Sequence, residues 1–158
     1  MPISDDKTRA RVVIDTNVCL DLFIYRDAAV EPLMRALQSG RVTAVTRTDC
    51  RDEWQRVLHY PQFELDAVRR RDACSSYDTW FHEYPPPLQQ RNVSIDALPR
   101  CGDPDDQKFL ELAAETGAGS LVTKDRMLLK LHRRTKRLGL FVIVTPTAWS
   151  EWLDASDS

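Results

Sequence analysis

Arg11-Val12-Val13-Ile14-Asp15 is a short β-branched run that opens and closes on charge. A run of that length and composition reads as a strand buried on both faces. Leu121-Val122-Thr123-Lys124-Asp125 has the same form, an apolar run followed by an aspartate. Working outward from these two, residues 42–46 and 140–144 are further strand candidates. Helical patterns lie between them. They cover about 18–25 and 28–38, then a stretch capped by Thr48 or Asp49 and running to about 59. Pro61 opens a longer charged one that reaches Phe81. Asp103 and Pro104 suit the cap and first position of a helix that Gly117 and Gly119 end. A basic helix is expected after Lys124-Asp125, to about Lys136, and a terminal one from Pro146. Residues 85–102 read as loop, with a weak strand candidate at 93–95. Strands alternating with helices imply crossover connections and a parallel sheet covered on both sides. The expected fold class is α/β, a three-layer α/β/α sandwich with a four- or five-stranded parallel sheet.

The chain has 158 residues, enough for one domain with a sizeable core. We expect that domain over 11–153, between a flexible start at 1–10 and a flexible tail at 154–158. With 22 basic and 24 acidic side chains the net charge is −2, which excludes a polybasic protein but not a local basic stripe. No apolar run approaches the roughly 18–20 residues that span a bilayer, and the first residues hold no signal-peptide core, so a cytoplasmic protein is expected. Cys19, Cys50, Cys74 and Cys101 are widely spaced with no C-x-x-C pair. That argues against a zinc site and for free thiols.

The carboxylates carry the chemistry. Ligands of open α/β sheets bind beyond the carboxyl ends of the strands, where Asp15 and Asp125 both fall. Either alone would read as a helix cap. Glu53 flanks the face formed by Cys50, Trp54, Val57 and Leu58, so it needs an ion pair or a metal. Asp106 leans to the side of its helix that carries Phe109, Leu110 and Ala113, whereas Asp103 and Asp105 suit the helix macrodipole. Four carboxylates converging on one sheet edge would repel one another at neutral pH. A hard divalent cation, Mg²⁺ or Mn²⁺, relieves that repulsion and serves phosphoryl chemistry without a side-chain nucleophile.

These residues resemble the PIN-domain nucleases. The resemblance lies in 13–17 (Val-Ile-Asp-Thr-Asn), 52–58 around Glu53, 102–113 from Gly102-Asp103-Pro104-Asp105-Asp106, and 121–125. The set covers about 11–150, and it is most similar to the bacterial branch described as toxin components of toxin–antitoxin pairs. It implies Mg²⁺- or Mn²⁺-dependent cleavage of RNA, with a cognate antitoxin protein and a homodimer as partners. By motif position Asp15, Glu53, Asp106 and Asp125 match the acidic quartet that binds metal and catalyses. Asn17 and Thr123 match the small polar residues beside it, and Asp103 and Asp105 could ligate or orient. Lys124 departs from the small residue common at its position, and the Tyr84-Pro85-Pro86-Pro87 segment is unusual.

Arg126, Lys130, Arg133, Arg134 and Arg137 recur at spacings of three and four, so a continuous helix would align several on one face for an RNA backbone. Met127, Leu128 and Leu131 would then turn inward. His59, His82 and His132 share no spacing, and Trp54 reads as core. Trp149, Trp152 and Leu153 on the terminal helix either pack on their own sheet or support a dimer. Two other enzyme classes fit poorly. An aspartyl-nucleophile phosphatase wants a second Asp where Asn17 stands, and Thr16-Asn17-Val18 is not the Gly-rich turn of a dinucleotide site. A non-catalytic module binding a basic protein is the remaining alternative.

Overall fold

The computed structural model describes residues 10–84 and 97–156. Five strands form one sheet: β1 (Arg11–Ile14), β2 (Thr43–Thr46), β3 (Phe81–Glu83), β4 (Ser120–Val122) and β5 (Val142–Val144). Every pairing is parallel, and the order is β3-β2-β1-β4-β5. The chain therefore builds outward from β1 to β3, returns to lay β4 on the other side of β1, and finishes with β5. The order reverses between β1 and β4. The α/β/α sandwich expected from the strand pattern is the fold observed.

Before the return crossing, α1 (Thr16–Leu20) runs on into a π-helical turn at Asp21–Tyr25. It is followed by α2 (Glu31–Gln38), α3 (Thr48–Val57) and α4 (Ala67–Trp80). Later come a 3-10 turn at Pro104–Asp106, α5 (Gln107–Thr116), α6 (Arg126–Leu129), α7 (His132–Arg137) and α8 (Pro146–Ser156). Successive strand residues face opposite layers, as a period of two requires. Val12, Ile14, Ala44, Phe81 and Val122 pack with Leu33, Trp54 and Trp149 on one face. Val13, Val45, Leu121 and Ile143 pack with Phe109, Leu110, Leu128 and Leu131 on the other. Both faces are dry, which explains why β1 and β4 read as continuous apolar runs and not as alternating ones.

Arg47 ties α3 to α5. Its guanidinium grips Asp49 through two bonds of 2.8 Å and reaches Glu115 at 2.8 Å and Glu111 at 3.1 Å. Arg47 stands just before α3 and reaches Glu111 and Glu115, in the middle and near the end of α5, while Glu53 further along α3 pairs with Lys108 near the start of α5. The two helices therefore pass each other in opposite senses.

Several expectations are corrected. Helix α4 ends at Trp80, close to the expected Phe81, but it begins at Ala67 and not at Pro61, and the chain then enters edge strand β3, which only pairing with β2 reveals. The residue preceding α3 is Arg47, so neither Thr48 nor Asp49 occupies the cap, and α3 ends at Val57. The basic stretch is two short helices. His132 Nδ1 accepts from the Ile143 N–H at 3.0 Å, and Thr135 is wholly buried. Leu128, Leu131 and Thr135 are buried at helical spacing, but the chain breaks at residues 130–131 between the two helices. Met127 is exposed, not buried. Helix α8 continues through Asp154 to Ser156, past the expected start of the tail, and Asp154 Oδ1 accepts from Arg41 at 3.3 Å. The expected loop and strand candidate within 85–96 lie outside the described residues.

The four cysteines are free. No helix among the described residues is long and apolar enough to cross a membrane. Trp149 is 1% exposed and donates from Nε1 to Ser120 Oγ at 3.1 Å, while Leu153 is buried and Trp152 packs against the same core. The chain's own sheet covers this face, so the homodimer expectation rests on the resemblance alone.

The two buried indoles give a stability test. Trp54 stacks on Tyr77 at 5.6 Å, and its Nε1 has no hydrogen-bond partner among the described residues. Trp54→Phe removes an unsatisfied donor along with packing, whereas Trp149→Phe removes packing and a made bond. An unmet buried group costs about 1–3 kcal/mol. Urea unfolding should find Trp149→Phe the more destabilised by about that margin, and equal losses would contradict this assignment.

Candidate active site

The reversal of strand order opens a crevice past the carboxyl ends of β1 and β4, where ligands of open α/β sheets bind. Asp15 follows β1 directly. Its N–H donates to the Val122 carbonyl at 3.1 Å, so backbone pairing with β4 continues one residue past the strand. The side chain is 3% exposed. Oδ1 accepts from the Asn17 N–H at 2.7 Å, capping α1, and Oδ2 accepts from Thr123 Oγ1 at 2.5 Å. Thr123 is itself fully buried, and its Oγ1 accepts from the Asp125 N–H at 2.9 Å. One threonine thus links the ends of both strands. Asp125 caps α6, its Oδ1 accepting from the Met127 N–H at 2.7 Å and more weakly from Leu128 at 3.4 Å. Both strand-end aspartates are helix caps, and both also face the crevice charges.

Asp106 comes from the other side, at the end of the 3-10 turn that leads into α5. Asp103 begins that turn, with Oδ1 accepting from the Asp105 N–H at 3.0 Å. Burial pushes the Asp106 carboxyl up to about 7; the charges of Asp15, Asp125 and Asp103 add to this, as does a hydrogen bond with Asp125. Asp15 is raised too, chiefly by burial. Its bonds to Thr123 and Asn17 oppose the rise, and the charges of Asp125 and Glu53 add to it. Asp15, Asp106 and Asp125 are therefore close enough to feel one another's charge, and Asp15 also feels that of Glu53.

Glu53 stands apart from that trio. It lies on α3, and its Oε1 pairs with Lys108 Nζ at 2.8 Å. Oε2 accepts from Thr16 Oγ1. Lys108 also donates to the Asp105 carbonyl and lies over the Phe109 ring, 5.1 Å from its centre. Of the other residues singled out, Asn17, Asp103 and Asp105 have exposed side chains and meet the site through main-chain bonds. Arg126, Lys130, Arg133 and Arg134 are all exposed, on α6, α7 and the bend between them.

Three contacts went unread in the sequence. Lys108 carries the cation beside the acids, and the one available signal was that it is the lone basic residue of the 102–113 motif. Thr16 sits between two residues singled out by motif. Asp21 is buried and pairs with Lys124 Nζ at 2.5 Å. That pairing gives the unusual lysine a structural partner at the margin of the site.

Among the described residues, no three or more His, Cys, Asp or Glu side chains form a ready ion cage. The donors still fit Mg²⁺ or Mn²⁺. They are carboxylate oxygens, and Mg²⁺ keeps several waters while taking only one or two carboxylates. The repulsion from Asp15 and Asp125, which adds to the effect of burial on Asp106, is what a cation would relieve. Asp15, Asp106 and Asp125 are the residues that would hold it.

In comparison with known proteins, the sequence matches the family model of the PIN domain over residues 11–127. That span contains Asp15, Glu53, Asp106 and Asp125. No curated protein matches the chain.

Asp106 gives a pH test. Its carboxyl is raised in the fold from an ordinary 3.8 to about 7. Its contribution to stability is therefore complete below about pH 4 and is lost as pH rises through about 7. In EDTA, the melting temperature should fall across that window, and Asp106→Asn should flatten the fall. Thermal melts from acid to mildly alkaline pH check this; an Asp106→Asn profile with the wild-type slope would contradict it.

Proposed function

The chain belongs to the PIN-domain family, and from that premise we propose that it is a divalent-metal-dependent endoribonuclease acting at the β1–β4 crevice. One observation supports this reading: Asp15, Asp106 and Asp125 come together at the switch point of the sheet, where burial first and then the charges of Asp15 and Asp125 raise Asp106 to about 7. A PIN domain generally implies a metal-dependent nuclease. We assign Asp15, Asp106 and Asp125 to the metal, with Glu53 as the fourth acid of the site.

When bound, Mg²⁺ or Mn²⁺ supplies a water of lowered pKa and a positive charge for the leaving oxygen. The chain's own residues set that up. Thr123 and the Asn17 N–H hold both oxygens of Asp15 in one orientation, as partners of a ligating carboxylate should. The caps on α1 and α6 fix the two strand-end carboxylates to the sheet. The acids alone would repel RNA, and the exposed Arg126, Lys130, Arg133 and Arg134 offer positive charge beginning one residue past Asp125.

The finer reading is a toxin restrained by a cognate antitoxin protein. It is supported by the similarity of the motif set to the bacterial toxin branch. Expression of the wild type should arrest growth in a bacterial host, and Asp15→Asn should not.

Asp15→Asn should abolish RNA cleavage with the fold intact. The amide keeps the shape and can still accept from Asn17, while Thr123 can accept from the new N–H₂. Losing even an outer partner of a metal ligand costs about 10–100-fold, so losing the ligand's charge should cost at least that. EDTA should have the same effect. Cleavage that survives both would mean another mechanism.

Neutralising Arg133 and Arg134 together should weaken RNA binding and reduce its salt dependence by roughly two units of slope at most. Metal binding should not change. Equal RNA affinity at two salt concentrations would make α7 an ordinary solvated helix.

A further inference from the structure

We propose that Lys108 takes the place of a second metal ion, so that the site binds one divalent cation and not a pair. This rests on the nuclease reading of the crevice. The starting observation is a difference between Glu53 and the other acids. The partners of Asp15 are neutral, a threonine hydroxyl and a backbone N–H. Such donors orient a carboxylate and leave its charge uncompensated. Glu53 instead faces an ammonium at 2.8 Å, and its second oxygen is taken by Thr16.

Lys108 is held where it stands. The side chains of Lys108 and Glu53 are only 14% and 18% exposed. The ammonium also donates to the Asp105 carbonyl and lies over the Phe109 ring. The helices that carry the pair are also tied by Arg47, which stands just before α3 and bonds to Glu111 and Glu115 of α5. The pair is therefore part of the α3–α5 packing and not a loose surface contact.

The charges follow. Asp15, Glu53, Asp106 and Asp125 supply four negative charges when ionised, and Lys108 balances that of Glu53. One divalent cation then nearly neutralises the remaining trio. A second one beside Glu53 would meet the ammonium at the oxygen it needs as a ligand. The side chains of Asp103 and Asp105 are exposed and offer no buried replacement.

Mn²⁺ titration of the whole chain tests this, with calorimetry for stoichiometry and electron paramagnetic resonance for pairing. Two ions about 3.5–4 Å apart couple magnetically, whereas an isolated ion keeps its hyperfine pattern. The wild type and Lys108→Arg should each bind one uncoupled ion. Lys108→Gln should bind two and show the coupling, and Lys108→Gln combined with Glu53→Gln should return to one. Two coupled ions in the wild type or in Lys108→Arg would overturn the proposal and leave the nuclease reading standing. So would a folded Lys108→Gln that still binds only one. No bound ion in the wild type at Mn²⁺ concentrations that saturate such sites would overturn both.

Discussion

The pairing of β1 with β4 is the constraint on which the site depends. It joins two segments far apart in sequence and reverses the direction in which the sheet grows. The two strands end level, with Asp15 still bonded to Val122 and Thr123 to Val144. Two apolar runs of the same form, each followed by an aspartate, thus become two carboxylates on one rim. The single bond from Thr123 to Asp15 fixes their mutual orientation. A shift of one residue in this register would turn each side chain of β4 into the opposite core layer, and the rim would be lost with it.

Local stability and site chemistry draw on the same groups. Asp15 and Asp125 cap the helices that follow them, which stabilises the turns. The fold also places them near Asp106, whose carboxyl is raised by burial and further by their charges, and this costs stability once it ionises. Two apolar layers hold the sheet from both sides. Glu53 is treated differently, since the protein brings its own cation to it. Four acids of similar motif standing thus fall into two electrostatic kinds, a repelling trio and a neutralised partner.

Much of this was legible in the sequence. The β-branched runs around Val13 and Val122 announced buried parallel strands, and the aspartates after them could be placed on one edge by the topology alone. Asp106 was legible from its spacing to Phe109 and Leu110. Features that depend on a distant partner were not. Phe81–Glu83 follows α4 without a break and becomes a strand only because β2 offers it an edge. The basic stretch has helical spacing throughout, yet it forms two short helices, with His132 accepting from the Ile143 N–H of β5. An ion pair for Glu53 was foreseeable from its position, but its identity as Lys108 was not, because only the opposed packing of α3 on α5 brings the two together. Trp149 and Trp152 posed a choice between own-chain packing and a second copy that helical spacing could not decide and the Ser120 hydroxyl does.

The central claim is that this crevice is a cation site, and a crystal of the protein soaked in Mn²⁺ tests it most directly. Anomalous scattering should place an ion within bonding distance of carboxylate oxygens from Asp15, Asp106 and Asp125, with waters completing its shell. An ion bound away from the β1–β4 rim would contradict the account, as would an empty rim at a Mn²⁺ concentration that supports RNA cleavage in solution.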